Sequence, residues 1–190
     1  MDIILASASP RRKRLLIDAG FNIEVQPSNV IESIPIPMTP EETVMFLSLI
    51  KALDVRKKNE QFKGLIVSSD TVVVNNNKML GKPTSKENAR EMISSISGKT
   101  HQVISGVAII NCNTNESYLF YQSTNVTVSP LTMDQIESYI SSDEPYDKAG
   151  AYAIQGMFGK YIEVYDGDFN NVVGFPINQF KKVLKTKNWI

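Results

Sequence analysis

The run Leu65-Ile66-Val67-Ser68-Ser69-Asp70-Thr71-Val72-Val73-Val74 constrains this chain more than any other stretch. Its β-branched residues suit a pleated, packed surface, so it reads as a buried strand. Yet it carries a carboxylate in its middle, and an ionised carboxylate taken out of water is costly unless something pairs with it. Two readings of Asp70 are open. It lies at a sheet edge or bulge and bonds to nearby backbone, or it is held on a rigid element to bind a metal or activate water. Where the chain places its cations decides between them.

A chain of 190 residues can bury a sizeable core and reads as a single domain over residues 1–190. Its 20 basic and 20 acidic residues cancel, so no global field steers it toward nucleic acid or an anionic membrane, and neither is expected as a partner. Any anionic ligand must be met by a local cluster. The single Cys112 forms no internal disulfide, which fits a reducing cytoplasm. One Cys and one His (His101) exclude a Cys/His zinc site, leaving a hard cation on oxygen ligands as the expected metal. No apolar run approaches the roughly 20 residues of a membrane span. The opening Met1-Asp2-Ile3-Ile4-Leu5 lacks the basic flank and apolar length of a signal peptide.

Periodicity and capping residues predict a succession of strands and helices. Residues 3–6 form a short strand that runs into a helix capped by Ser9, with Pro10 at its first position and Gly20 as its stop. Residues 21–26 suit a strand, and residues 27–38 a Pro-rich loop carrying Glu32. Thr39 and Glu42 form a capping box for a helix reaching about Lys58. After the Asp70 strand come an Asn75-Asn76-Asn77 turn and a helix opened by Thr84 with Glu87, whose inner face is Ala89, Met92, Ile93 and Ile96. Residues 102–110 and 117–128 alternate as paired strands, and Thr132 with Gln135 opens another helix. Residues 143–159 read as irregular, 160–165 as a strand, 166–174 as a loop and 176–185 as a last helix. Mixed strands and helices throughout point to an α/β or α+β domain on a mixed sheet.

Four further signals carry chemistry. Ser7-Ala8-Ser9-Pro10-Arg11-Arg12 places a helix N-terminus after a strand, where free N–H groups and the helix dipole favour an anion. Arg11 and Arg12 sit in that first turn, where cations oppose the dipole. Their placement makes sense if a polyanion such as a triphosphate occupies the site; otherwise both splay into solvent. Lys51 falls on the inward face of its helix, among Val44, Leu47 and Val55, either as a ligand contact or as a snorkelling stem. Lys82 follows Gly81, a position otherwise typical of plain surface. The charged segment 143–150 continues to Gln155, set between Ile154 and Gly156, where an amide can read a base edge if the segment is more than a solvated loop.

Taken together, Leu5-Ala6-Ser7-Ala8-Ser9-Pro10-Arg11-Arg12, Ser69-Asp70-Thr71-Val72-Val73, Gly81-Lys82-Pro83, Ser97-Gly98-Lys99-Thr100-His101, residues 147–156 and Asn171-Val172-Val173-Gly174 resemble the Maf (septum formation inhibitor) family. The resemblance spans about residues 3 to 185. It implies a nucleoside triphosphate pyrophosphatase that cleaves between the α and β phosphates. The implied fold is a mixed twisted sheet flanked by helices, in two lobes around a central cleft, similar to the inosine triphosphate pyrophosphatases and often homodimeric. Asp70 is implied as the acidic catalytic residue, and Ser7, Arg11, Arg12, Lys51 and Lys82 as phosphate contacts. Glu32 is implied beside the metal or water, and Lys148 near the same cleft. Phosphoryl transfer is mostly positioning and charge neutralisation, so Mg²⁺ or Mn²⁺ is expected, with Asp70 and Glu32 as its contacts.

Three positions divide the family, here Arg11, Thr71 and Gln155. This trio resembles the branch acting on dTTP and UTP, including modified pyrimidine forms, whereas the branch preferring 7-methyl-GTP usually carries Trp at the first position and acidic residues at the others. The chain departs from the family pattern at Ile31-Glu32, where two acidic residues are common, at Ser68-Ser69, at Asp168 and at Phe175. A rival reading from a different class is a nucleotide-sensing regulator of cell division without turnover. Pyrophosphate release separates the two.

Overall fold

Ile3 and Leu5, Leu65 and Val67, and Val107 and Ile109 are buried in one hydrophobic cluster; their alternates Ile4, Ala6, Ile66, Ala108 and Ile110 are buried in another. Successive side chains of a strand point to opposite faces, so these strands are covered on both sides. The computed structural model describes residues 2–190 and supplies the covering helices. The domain expected over residues 1–190 therefore includes Met1, which lies outside the described residues.

The strands are β1 (Asp2–Leu5), β2 (Asn22–Val25), β3 (Leu65–Asn75), β4 (Lys78–Leu80), β5 (Thr100–Asn111), β6 (Glu116–Val128) and β7 (Ile162–Asp166). The helices are α1 (Pro10–Asp18), α2 (Pro40–Lys58), α3 (Lys86–Ile96), α4 (Met133–Ile140), α5 (Phe169–Val173) and α6 (Ile177–Thr186). The sheet order is β2-β1-β3-β5-β6-β7, with β4 paired to β3. β1 runs parallel to both β2 and β3, while β3–β4 and β6–β7 are antiparallel, so the sheet is mixed. This is the expected α/β class. Among the described residues no helix is long and apolar enough to cross a membrane.

Two compact units divide the chain. The first runs to Asp70 and adds Ser105–Gln122 and Gly174–Ile190; the second comprises Thr71–Ile104 and Ser123–Val173. In the first, Leu16 of α1 and Phe180, Val183 and Leu184 of α6 cover one side of the strands, while Ala52 and Val55 of α2 cover the other beside Cys112. Each such large aliphatic side chain contributes roughly 1.5–3 kcal/mol on full burial. In the second, α3 (Ala89, Met92, Ile93, Ile96) and α4 (Ile136, Tyr139, Ile140) pack with Val73, Val103, Val126, Tyr152 and Phe158.

Local signals set most element ends. Ser9 caps α1 by accepting from Arg12 N, and Gly20 follows the helix with φ +93°. Thr39 and Glu42 close a full capping box on α2, as Thr132 and Gln135 do on α4. Three expectations need correction. The α3 cap is Ser85, not Thr84: Ser85 Oγ accepts from Asn88 N at 3.1 Å, while Thr84 N donates to the Asn88 side chain. β7 begins at Ile162 rather than residue 160, because a 3₁₀ turn occupies Met157–Tyr161. The expected loop 166–174 contains α5, which Asp168 initiates by accepting from Asn170 N at 2.8 Å and Asn171 N at 3.1 Å.

Candidate active site

In the first unit, β1 delivers the chain to the turn Ser7-Ala8-Ser9 and then to α1, whose first turn holds no acidic residue. Ser7 is buried, and its hydroxyl accepts from Ser9 N at 3.2 Å and Arg12 Nη1 at 3.3 Å. Arg12 Nε donates to Gly174 O at 2.9 Å, and the Ser69 hydroxyl donates to the same carbonyl at 3.3 Å. Arg12 is therefore pinned along its fork rather than splayed into solvent. Burial lowers its pKa, while the nearby carboxylates of Asp70 and Glu32 push it back up and Arg11 opposes them. With Lys51, three cations (Arg11, Arg12, Lys51) stand near two carboxylates (Asp70, Glu32), and that excess suits an anionic ligand.

Lys51 reaches the same region from α2. Its Nζ lies 2.6 Å from Asp70 Oδ1 and 3.0 Å from Glu32 Oε1. The Lys51 and Asp70 side chains are only 12% and 14% exposed, whereas Glu32, on the loop before α2, is 52% exposed. Ion pairs this sheltered are strongly unbalanced by losing one member. One helical turn before Lys51, the buried Ser48 hydroxyl contacts Val44 O at 2.6 Å and Gly106 O at 2.9 Å. The Ser68 hydroxyl donates to Ser48 O. A Cβ at Gly106 would overlap the Val44 carbonyl, so glycine lets α2 seat closely on β5. That seat sets the height at which Lys51 meets Asp70.

The first unit thus brings together Ser7, Arg11, Arg12, Glu32, Lys51 and Asp70. The remaining expected residues, Thr71, Lys82, Lys148 and Gln155, lie in the second unit. There, Gly150 N donates to Gly81 O at 2.9 Å, tying the segment of Lys148 to the residue before Lys82. Gly150 has φ +68°, and a Cβ there would come within 2.7 Å of Val73, so two independent constraints require glycine. Lys148 is largely sheltered, bonding the Asp147 carboxylate and the Glu144 carbonyl. Lys82 and Gln155 are exposed, and Thr71 is half-buried.

Asp70 Oδ1 and Glu32 Oε1 both lie against Lys51 Nζ, so the two carboxylates are neighbours, and the donors they offer are all oxygen. Among the described residues no group of three or more His, Cys, Asp or Glu forms a metal cage. Such a pair fits a hard cation that brings further ligands from substrate phosphates and water, the usual habit of Mg²⁺.

Several supporting residues escape the sequence reading. Gly174 offers the shared carbonyl; it was visible only as the end of a motif. Ser48 looks like a polar residue on an apolar helix face. His101 is buried, with Nε2 2.7 Å from the Tyr152 hydroxyl and Nδ1 without a partner. Burial pushes His101 down to about 4. Glu144 reads as one charge in a solvated loop, yet its carboxylate meets Tyr139 and two backbone N–H groups.

Residues 2–187 match the family described as Maf-like protein. A dTTP/UTP pyrophosphatase of Bacillus pumilus is 44% identical over 184 residues, covering 97% of this chain and 95% of that protein. One from Lachnoclostridium phytofermentans is 44% identical over 186 residues, covering 96% and 93%. Among solved structures, the Staphylococcus aureus Ham1 protein superposes with a TM-score of 0.50 at 12% identity, covering 98% of this chain and 100% of that one, a likeness of fold.

Proposed function

This chain belongs to the Maf-like protein family, and from that premise we infer a nucleoside triphosphate pyrophosphatase that hydrolyses dTTP and UTP to the monophosphate and pyrophosphate. The observation that carries the chemistry is Lys51 Nζ held 2.6 Å from Asp70, a carboxylate on a buried strand, in the same unit as Arg12. The cations that Asp70 needs are therefore supplied by groups that also suit phosphate.

The roles we assign draw on the family resemblance together with the geometry. Arg12, Arg11 and the N–H groups at the start of α1 receive phosphate oxygens, Ser7 orients the Arg12 fork, and the resemblance gives Lys82 and Lys148 as further phosphate contacts. Lys51 pairs with the Asp70 side chain and fixes where it points. Asp70 orients the attacking water and accepts its proton as the new oxygen bond forms at the α-phosphorus. The bond from that phosphorus to the bridging oxygen breaks, and pyrophosphate leaves in line. Asp70 and Glu32 would hold Mg²⁺ or Mn²⁺, which when bound neutralises charge on the phosphate oxygens. Arg11, Thr71 and Gln155 select the base. The resemblance also suggests a homodimer, and the single buried thiol suits the cytoplasm.

Pyrophosphate release across dTTP, UTP, CTP, ATP and GTP, with and without Mg²⁺, tests the reading. Metal-dependent release fastest on dTTP and UTP is expected. Binding without turnover would make the chain a nucleotide sensor, and release of single phosphate would make it a phosphatase.

A further inference from the structure

Residues 144–158 carry Lys148 and Gln155 but build no regular element. They fold as three short 3₁₀ turns, Glu144–Asp147, Ala149–Ala151 and Met157–Tyr161. No ladder of hydrogen bonds therefore fixes the distance between the two residues, and Gly150 and Ala151 both adopt positive φ, at +68° and +63°. Something else must hold the segment in shape, because irregular backbone without fixed partners samples many conformations.

Glu144 touches both ends of it. Its carboxylate accepts from Met157 N at 2.6 Å and Phe158 N at 3.3 Å, just past Gln155, and its main-chain carbonyl accepts from Lys148 Nζ at 3.3 Å. The Tyr139 hydroxyl of α4 lies 3.0 Å from Glu144 Oε1 and 3.1 Å from Ala151 O, fixing the carboxylate and the middle of the segment to one helix. Gly156 packs directly on the carboxylate, where a Cβ would overlap it. Hydrogen bonds from N–H groups to an ionised acceptor are about twice as strong as neutral ones. A solvated surface charge would show none of this convergence.

We propose that Glu144 is a positioning residue whose carboxylate sets the spacing between Lys148 and Gln155, and through them the fit of triphosphate and base. This rests on the reading of Lys148 and Gln155 as ligand contacts. Two variants loosen the fastening from opposite sides. Glu144→Gln replaces one acceptor oxygen with an amide that turns hydrogens toward donors. Gly156→Ala keeps the carboxylate but displaces it, on a backbone whose φ of −102° accepts alanine.

The experiment measures kcat and KM for dTTP, UTP and GTP on the full chain, together with hydrogen exchange at Met157 and Phe158. Lys148→Ala and Gln155→Ala serve as comparators. Both loosening variants are expected to raise KM for dTTP about tenfold, to lower the preference for dTTP over GTP, to change kcat less than KM and to lose amide protection. If Glu144→Gln does not fold, Gly156→Ala decides alone. A uniform fall in kcat for every nucleotide, with KM and preference unchanged, marks a merely structural glutamate and overturns the proposal. If the comparators alter KM or preference while the loosening variants match the wild type, the proposal fails and the ligand reading stands. If the comparators themselves change nothing, that reading fails, and Glu144 has no ligand contact left to position.

Discussion

The Lys51–Asp70 region and the segment 144–158 solve the same problem, holding a few polar groups still, by opposite means. The first puts each group on a long regular element. Asp70 rides on β3, Lys51 on α2, and the Ser48–Gly106 seat fixes one against the other. The second has no regular element and relies on Glu144, Tyr139, Gly150 and the His101–Tyr152 pair to pin a chain of turns. Ladders and helices transmit position over many residues, so losing one bond matters little. In a pinned segment each fastener carries the whole geometry. Under the proposed roles, the first design suits groups that must resist the charge of a reacting phosphate, and the second suits groups that recognise a ligand's shape.

The sharpest way to break this comparison is Asp70→Asn. It should reduce pyrophosphate release from dTTP by about 10³-fold, within the range for a group that moves a proton, while circular dichroism shows a native fold. Substantial turnover in a folded variant would remove Asp70 from the chemistry. Next comes Gly106→Ala, which drives a Cβ into the Val44 carbonyl. A loss of about 3 kcal/mol in urea unfolding is expected, the upper range for overpacking. An unchanged midpoint would show that α2 shifts freely and that the seat does not fix Lys51.

A pH dependence probes the pinned segment. His101 is held neutral in the fold with its pKa depressed to about 4, whereas an unfolded histidine titrates near about 6.5. Between those values the unfolded chain binds the extra proton, so stability is complete above the upper value and falls as pH drops toward the lower one. The loss approaches about 3 kcal/mol near pH 4. Tyr139, Tyr152 and Tyr161 pack on Phe158 in this core, and Glu144 meets the Tyr139 hydroxyl. Burial raises Tyr139 and Tyr152, so neither titrates in this window. Thermal melts from pH 7 to 4 should show a steeper decline for wild type than for His101→Gln; parallel declines would refute the assignment. The smallest effect is expected from Arg11→Ala, about a tenfold loss of the preference for dTTP over GTP. Equal losses on all nucleotides would make Arg11 a phosphate clamp alone.

The same contrast explains what could be read in the sequence. Asp70 stood out because a carboxylate interrupts a β-branched run, and Lys51 because a cation interrupts a helical apolar face. Regular periods make exceptions visible. Capping boxes at Thr39 and Thr132 were equally plain, since their residue types and spacing are the mechanism. Glu144 interrupts no period, because the segment around it is irregular, and His101 lies at the very start of β5, where too little of the alternation precedes it to mark it as an exception. The Glu144 partners Met157 N and Phe158 N are backbone groups, which leave no mark in a sequence. The short helix α5 was missed for a related reason: its initiator Asp168 sits among Gly and Asn residues that usually signal a turn.

Cys112 gives the comparison a clock. Buried beside Ala52 and Val55, with its thiol pKa raised by burial, it is a poor nucleophile in the folded chain. As the chain's only cysteine, it belongs to the first unit alone. Its rate of capture by a thiol reagent therefore times the openings of that unit, and a cysteine introduced at Gln155 would label in the intact fold while the native one waits.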